Sequence, residues 1–188
     1  MAPVRGQLGF FVDTTRCVNC KTCEIACKDF HDNSIGRRFR RVRTVEGGDY
    51  PNVFAFNISM SCNHCEDPEC VRQCPAQAYS KRVGDGIVVH DPERCIGCRY
   101  CTWVCPYGAP QYDEREGHVR KCDFCVDELA QGREPVCVTS CPLRAIAFGP
   151  LENIAAQLGA TDSLPGFPDP GLTRPSCRYK LRAEASVE

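Results

Sequence analysis

The amino-acid sequence predicts an α+β fold of two small, loop-rich modules followed by a Pro-rich C-terminal tail. Three observations lead there. Sixteen of the 17 cysteines fall into four quartets of short, regular spacing. Three quartets close with one phrase, Cys-Pro-x-x-Ala, which marks an internal repeat. Between the second and third quartets, Gly84-Asp85-Gly86 predicts a turn, Ile87-Val88-Val89 a short strand and Asp91-Pro92 the entry to the next cysteine loop. A chain of 188 residues can build one compact domain or two lobes with little apolar core in each.

The quartets carry the chemistry. Cys17-Cys20-Cys23-Cys27 and Cys95-Cys98-Cys101-Cys105 both run C-x2-C-x2-C-x3-C, the spacing of bacterial ferredoxins. Cys62-Cys65-Cys70-Cys74 widens the middle gap, and Cys122-Cys125-Cys137-Cys141 opens it to eleven residues. A cubane of iron and sulfide offers four iron corners, and cysteines at every third residue can wrap three of them. The fourth cysteine is expected to be carried away by the start of a helix, with the following proline at an early helical position, and to reach the other cluster of a pair. The modules are therefore ferredoxin-like. Quartets two and three define one over residues 61–117; quartets one and four complement each other in a second, over 1–60 and 118–155, leaving 156–188 as the tail. Sequential pairing, first with second and third with fourth, is the competing topology, and the ferredoxin-like separation of Cys74 from Cys95 argues against it.

Other uses of cysteine fit less well. Structural zinc needs two C-x2-C knuckles and has no use for a third cysteine at the same spacing or for repeated C-x3-C-P endings. Disulfides between triplets on tight loops would have poor geometry. The formal charge of −1 leaves nucleic acid an improbable partner. It counts every thiol as neutral, whereas each loaded cluster would add roughly −2. Arg16, Lys21, Lys28, Arg72, Arg94, Arg99, Lys121 and Arg144, close to cysteines, could offset that charge, although ordinary solvated bases are expected among them. Met1 to Phe11 has one arginine and a brief apolar patch, so no secretory signal is expected there. No run approaches the length of a membrane span.

Longer phrases carry a resemblance: Gly9-Phe10-Phe11-Val12-Asp13, Cys20-Lys21-Thr22-Cys23-Glu24, Ser61-Cys62-Asn63-His64-Cys65-Glu66-Asp67-Pro68, Cys95-Ile96-Gly97-Cys98-Arg99-Tyr100-Cys101, Cys105 through Tyr112, and Ser140 through Ala145. Over roughly residues 8–155 the protein resembles the iron–sulfur electron-transfer subunits of the dimethyl sulfoxide reductase family of molybdopterin oxidoreductases. The resemblance implies four [4Fe–4S] clusters. Their ligands would be Cys17, Cys20, Cys23 and Cys141; Cys27, Cys122, Cys125 and Cys137; Cys62, Cys65, Cys70 and Cys105; and Cys74, Cys95, Cys98 and Cys101. Related nitrate reductase subunits replace the second cysteine of the third quartet by tryptophan and hold a [3Fe–4S] centre; Cys98 here implies a full cubane. The resemblance also implies a molybdopterin-containing catalytic partner, an integral membrane quinol-interacting anchor, and membrane association through those partners, on a face that the sequence leaves open. Such a protein passes electrons and makes no substrate bond. Subunits of sulfite dehydrogenases and of polysulfide or thiosulfate reductases share this type, and a free polyferredoxin carrier is the other alternative.

Several residues have duller readings. Cys177, beyond the quartets, is expected to be a bystander thiol. His64 is expected to pack or face solvent, with a hydrogen bond to a cluster sulfur or proton carriage as the sharper alternative. Tyr100 and Trp103 are expected to shield a cluster from water. The alternating run Arg37-Arg38-Phe39-Arg40-Arg41-Val42-Arg43 suggests an edge strand whose bases face either an acidic partner or solvent. Leu151, Ile154 and Leu158 predict a short helix, and the Pro- and Gly-rich stretch after it either wraps a partner or packs on its own domain.

Overall fold

The computed structural model describes residues 6–182. The first five residues of the Met1–Phe11 stretch and the last six of the tail lie outside the described residues. Short strands alternate with short helices, the longest of nine residues, as expected where loops must close around something other than apolar side chains.

The main sheet has four strands. β1 (Leu8–Asp13) lies between β8 (Ile146–Pro150), antiparallel to it, and β10 (Cys177–Lys180), parallel to it, with β9 (Ala160–Thr161) beyond β10. Phe10 sits opposite Phe148 on one side and Cys177 on the other. The segment before the first quartet is thereby tied to the segment after the fourth and to the end of the tail. Gly9 makes the junction possible, because a side chain there would collide with the Ser176 carbonyl and Ile154. The stretch after Pro150 begins with helix α6 (Leu151–Ala155), shorter than the sequence pattern, and Leu158 stays exposed. The backbone then returns to the sheet through alternation in Cys177-Arg178-Tyr179-Lys180, whose first and third members are buried.

Three hairpins complete the fold: β2 (Arg41–Gly47) with β3 (Phe54–Met60), β4 (Tyr79–Lys81) with β5 (Val88–His90), and β6 (Gln111–Asp113) with β7 (His118–Arg120). The remaining helices are α1 (Thr22–Phe30), α2 (Glu69–Arg72), α3 (Tyr100–Val104), α4 (Val126–Ala130) and α5 (Val136–Thr139). The core follows this division. A large cluster gathers Phe10, Val12, Phe56, Ile58, Phe124 and Ile146 with many of the cysteines, and a small one gathers Tyr79, Val88, Cys101 and Val119.

Two expectations are corrected. The proline after the fourth cysteine does not begin a helix; Cys74, Cys105 and Cys141 follow closely on α2, α3 and α5, and Pro75, Pro106 and Pro142 sit in the turns beyond. A helix before the turn still suits proline, which cannot continue it. Nor is the arginine run one solvated face. Arg37 pairs with the buried Asp113, Arg41 donates to the carbonyls of Tyr107 and Gly108, and Arg40 is 1% exposed, leaving Arg38 and Arg43 outside.

Candidate iron–sulfur sites

The cysteine loops have the backbone that a polyanion needs. In the first quartet Asn19 and Lys21, and in the third Gly97 and Arg99, take left-handed conformations at matching positions. The alternation curls the loop so that successive amides can turn inward. Gly97 cannot be replaced freely, since a Cβ would strike the Gly117 carbonyl. The repeated Cys-Pro-x-x-Ala phrase acquires a reason. Gln77, Gly108 and Arg144 accept the left-handed turn, and the amides of Ala78 and Ala145 then donate to the sulfurs of Cys74 and Cys141, each at 3.3 Å.

The cysteines converge in fours drawn from different quartets. Cys17, Cys20, Cys23 and Cys141 line one hollow of about 330 Å³. Cys62, Cys65, Cys70 and Cys105 line another of about 340 Å³, and Cys74, Cys95, Cys98 and Cys101 a third of about 290 Å³. Cys27, Cys122, Cys125 and Cys137 are all buried, and for Cys27, Cys122 and Cys125 repulsion from neighbours in the group adds to the effect of burial in raising their affinity for protons.

Burial, followed by repulsion from Cys137, pushes the Cys27 thiol up to about 12; burial likewise takes Cys70 and Cys125 to about 12 and raises Cys65 and Cys122. Such thiols stay protonated in a bare protein. A metal must displace their protons, so loading and folding are linked. Donors are ready for the sulfur charge: the hydroxyls of Thr22 to Cys20, Ser59 to Cys23 and Tyr79 to Cys101, each at 3.4 Å, and His31 Nε2 at 3.4 Å from Cys125. Hydrogen bonds to cluster sulfurs are one of the levers that set reduction potential. Soft thiolates grouped in fours on curled, amide-rich loops fit iron–sulfur clusters.

The other candidates fall as follows. His64 is buried, accepts from the Val88 amide at 3.1 Å through Nδ1 and packs on Phe124, while it lines the hollow of Cys62, Cys65, Cys70 and Cys105 with Nε2 unpartnered among the described residues. Cys177 is buried in β10, outside all four groups. Trp103 is 81% exposed beside Tyr100 and does not line the hollow of Cys74, Cys95, Cys98 and Cys101, whereas the exposed Ile96 does. Of the eight bases near cysteines only Lys121 is buried, its ammonium held by the carbonyls of Val88 and Cys122. Sequence reasoning missed Ser59, Tyr79 and His31 because each lies far along the sequence from the sulfur it meets.

Fold and sites together define a ferredoxin-type iron–sulfur protein. The 4Fe-4S dicluster domain family matches residues 53–151, and a 4Fe-4S binding domain matches residues 14–30. The protein is 48% identical over 187 residues to the B component of the anaerobic dimethyl sulfoxide reductase of Escherichia coli, an alignment that covers 95% of the present sequence and 91% of the relative. It is 36% identical over 168 residues to the B component of the sulfite dehydrogenase of Allochromatium vinosum, covering 78% and 70%. To the formate dehydrogenase iron–sulfur subunit of Wolinella succinogenes it is 34% identical over 173 residues, covering 80% and 85%. The protein belongs to this family of iron–sulfur electron-transfer subunits.

Proposed function

We propose that the protein holds four [4Fe–4S] clusters and relays electrons between a membrane quinol or quinone subunit and a molybdopterin catalytic subunit, in the manner of dimethyl sulfoxide reductase, without itself making or breaking substrate bonds. The reading rests above all on three hollows, each lined by four cysteines drawn from two different quartets. The ligand sets are Cys17, Cys20, Cys23 and Cys141; Cys27, Cys122, Cys125 and Cys137; Cys62, Cys65, Cys70 and Cys105; and Cys74, Cys95, Cys98 and Cys101. One module then comprises 1–60 with 118–155, the other 61–117. When bound, the clusters supply one-electron chemistry; the protein's residues space them, donate hydrogen bonds to their sulfurs and exclude water.

The surface supports a protein docked to partners rather than a free carrier. Cys20 and Cys98 are the two exposed cysteines among the described residues. Val18 lines the same hollow as Cys20 and Ile96 the same hollow as Cys98, both strongly exposed. Exposed apolar side chains around an electron entry point suit partner surfaces. No described helix is long and apolar enough to cross a membrane, so we propose that membrane association comes through a partner. The dimethyl sulfoxide reductase reading is preferred to the sulfite dehydrogenase one by identity, 48% against 36%.

Anaerobic purification with metal and sulfide analysis tests the reading. About sixteen irons per polypeptide and copurification with a large molybdenum protein are expected. Zinc in place of iron, or a monomer that exchanges electrons with no molybdenum protein, would overturn it.

A further inference from the structure

Arg40 stands outside all four cysteine quartets in the sequence, yet it occupies the interior beside two cysteine groups. It is 1% exposed, its guanidinium 4.5 Å above the Phe10 ring. Its Nη1 donates to the Ser59 hydroxyl at 3.2 Å and its Nη2 to the Ser61 hydroxyl at 3.0 Å, while Nε has no partner among the described residues. A guanidinium cannot shed its charge, and a buried charge needs an opposite one. Among the described residues it pairs with no carboxylate: nearby Glu24 is taken by the Val42 amide and Arg38, and Asp113 by Arg37.

What surrounds it is sulfur. Cys137, Cys23, Cys122 and Cys27 are the groups whose charge bears most on it, so thiolates formed there on cluster loading would supply the opposite charge that its burial demands. Two structural links join it to two different cysteine groups. Arginine can only donate, so the Ser59 hydroxyl that accepts from Nη1 is free to donate onward to Cys23 Sγ, 3.4 Å away. The guanidinium also lies over Phe10, which stacks on Phe124, the residue between Cys122 and Cys125.

We propose that Arg40 is the internal counter-cation shared by the clusters of the Cys17, Cys20, Cys23, Cys141 set and the Cys27, Cys122, Cys125, Cys137 set, and that it holds both reduction potentials up. The inference rests on the four-cluster reading above. Each cluster becomes more negative on reduction, and a fixed, unscreened cation beside it favours the added electron. Arg40 is thus a positioning and tuning residue that reaches sulfur through the Ser59 hydroxyl.

The test is an EPR-monitored redox titration of the cluster-loaded full-length protein, in its native complex, with Arg40→Gln and Arg40→Lys and with iron counted in each. Arg40→Gln is expected to lower the potentials of those two clusters, by more than it moves the Cys74, Cys95, Cys98, Cys101 cluster. Arg40→Lys, which keeps the charge, should recover most of the shift. Loss of iron in the glutamine variant but not in the lysine variant would equally support a requirement for charge. Unchanged potentials at full iron, an equal shift of all four clusters, or iron loss in both variants would overturn the inference, the last by making shape rather than charge the requirement. A parent protein short of about sixteen irons would sink the four-cluster reading first and this inference with it.

Discussion

The group Cys27, Cys122, Cys125 and Cys137 and the group Cys74, Cys95, Cys98 and Cys101 present the same chemistry in opposite surroundings. In the first, all four cysteines are buried next to the four-stranded sheet, and Arg40 lies among them. In the second, only Cys101 is buried, Cys98 is exposed, and support comes from two small hairpins and one compact apolar cluster. Where cysteines are part of the main core, cluster and fold should be inseparable. Where they line a surface loop, the cluster can be altered without losing the rest.

The largest expected effect follows from that contrast. On the proposed ligand sets Cys122→Ser removes a ligand from the core, and its loss should cost the cluster proposed there and the cooperative fold around it. Cys98→Ser at the surface should leave the protein folded with about one iron fewer. Iron analysis and near-UV circular dichroism of the two variants check this. Equal damage from both would erase the distinction between regions.

Phe124 tests how far apolar packing supports the inner region. It is 0% exposed, stacked on Phe10 at 4.1 Å between ring centroids, and meets His64 and Phe148 edge-on. Phe124→Ala should cost about 3–5 kcal/mol by denaturant unfolding of the loaded protein. A loss under about 1 kcal/mol would mean that the clusters, not the aromatic stack, hold this sheet together.

Much of the candidate site was legible because its cysteines recur at fixed spacing, and spacing along a polypeptide is what sequence records. The Cys-Pro-x-x-Ala phrase was visible too, though its physical reason, a left-handed turn aiming the alanine amide at sulfur, needed coordinates. Arg40 was not legible. It lies in a run of bases with alternating apolar neighbours, a pattern shared by solvated edge strands, and only the packing of β2 and β3 against the cysteine loops separates it from Arg38 and Arg43. Strand β10 was hidden for another reason: four alternating residues after a Pro-rich stretch are too short to outweigh their flanks. Trp103 failed in the opposite direction, since an aromatic in a cluster loop suggests shielding and this one faces outward.

In the outer region a single hydroxyl offers a finer probe. Tyr79 is buried and its hydroxyl lies 3.4 Å from Cys101 Sγ. Tyr79→Phe keeps the ring and deletes the donor, so the potential of the Cys74, Cys95, Cys98, Cys101 cluster should fall while those of the inner clusters stay put. Stability should drop by about 0.5–1.5 kcal/mol. A shift in the inner clusters would show that the regions are electrostatically joined.

The smallest effect is a pH dependence of the same outer region. His90 packs its ring on Tyr79 and faces His118. Burial first, then the nearby His118 and Lys121, lower it from 6.5 to about 4, with Asp91 opposing. A base whose affinity for protons falls on folding is neutral in the native state, so between about pH 6.5 and pH 4 the unfolded protein binds more protons than the folded one. Its contribution to stability is therefore full above the upper value and lost as pH falls through the window. His90→Gln, which has no charge to acquire, should flatten that slope in denaturant titrations across the window, with Arg40 and the inner cluster untouched. A slope that survives in the variant would assign the acid sensitivity to the cysteine groups themselves, and the outer hairpin would then owe its stability at low pH to its cluster rather than to its histidine.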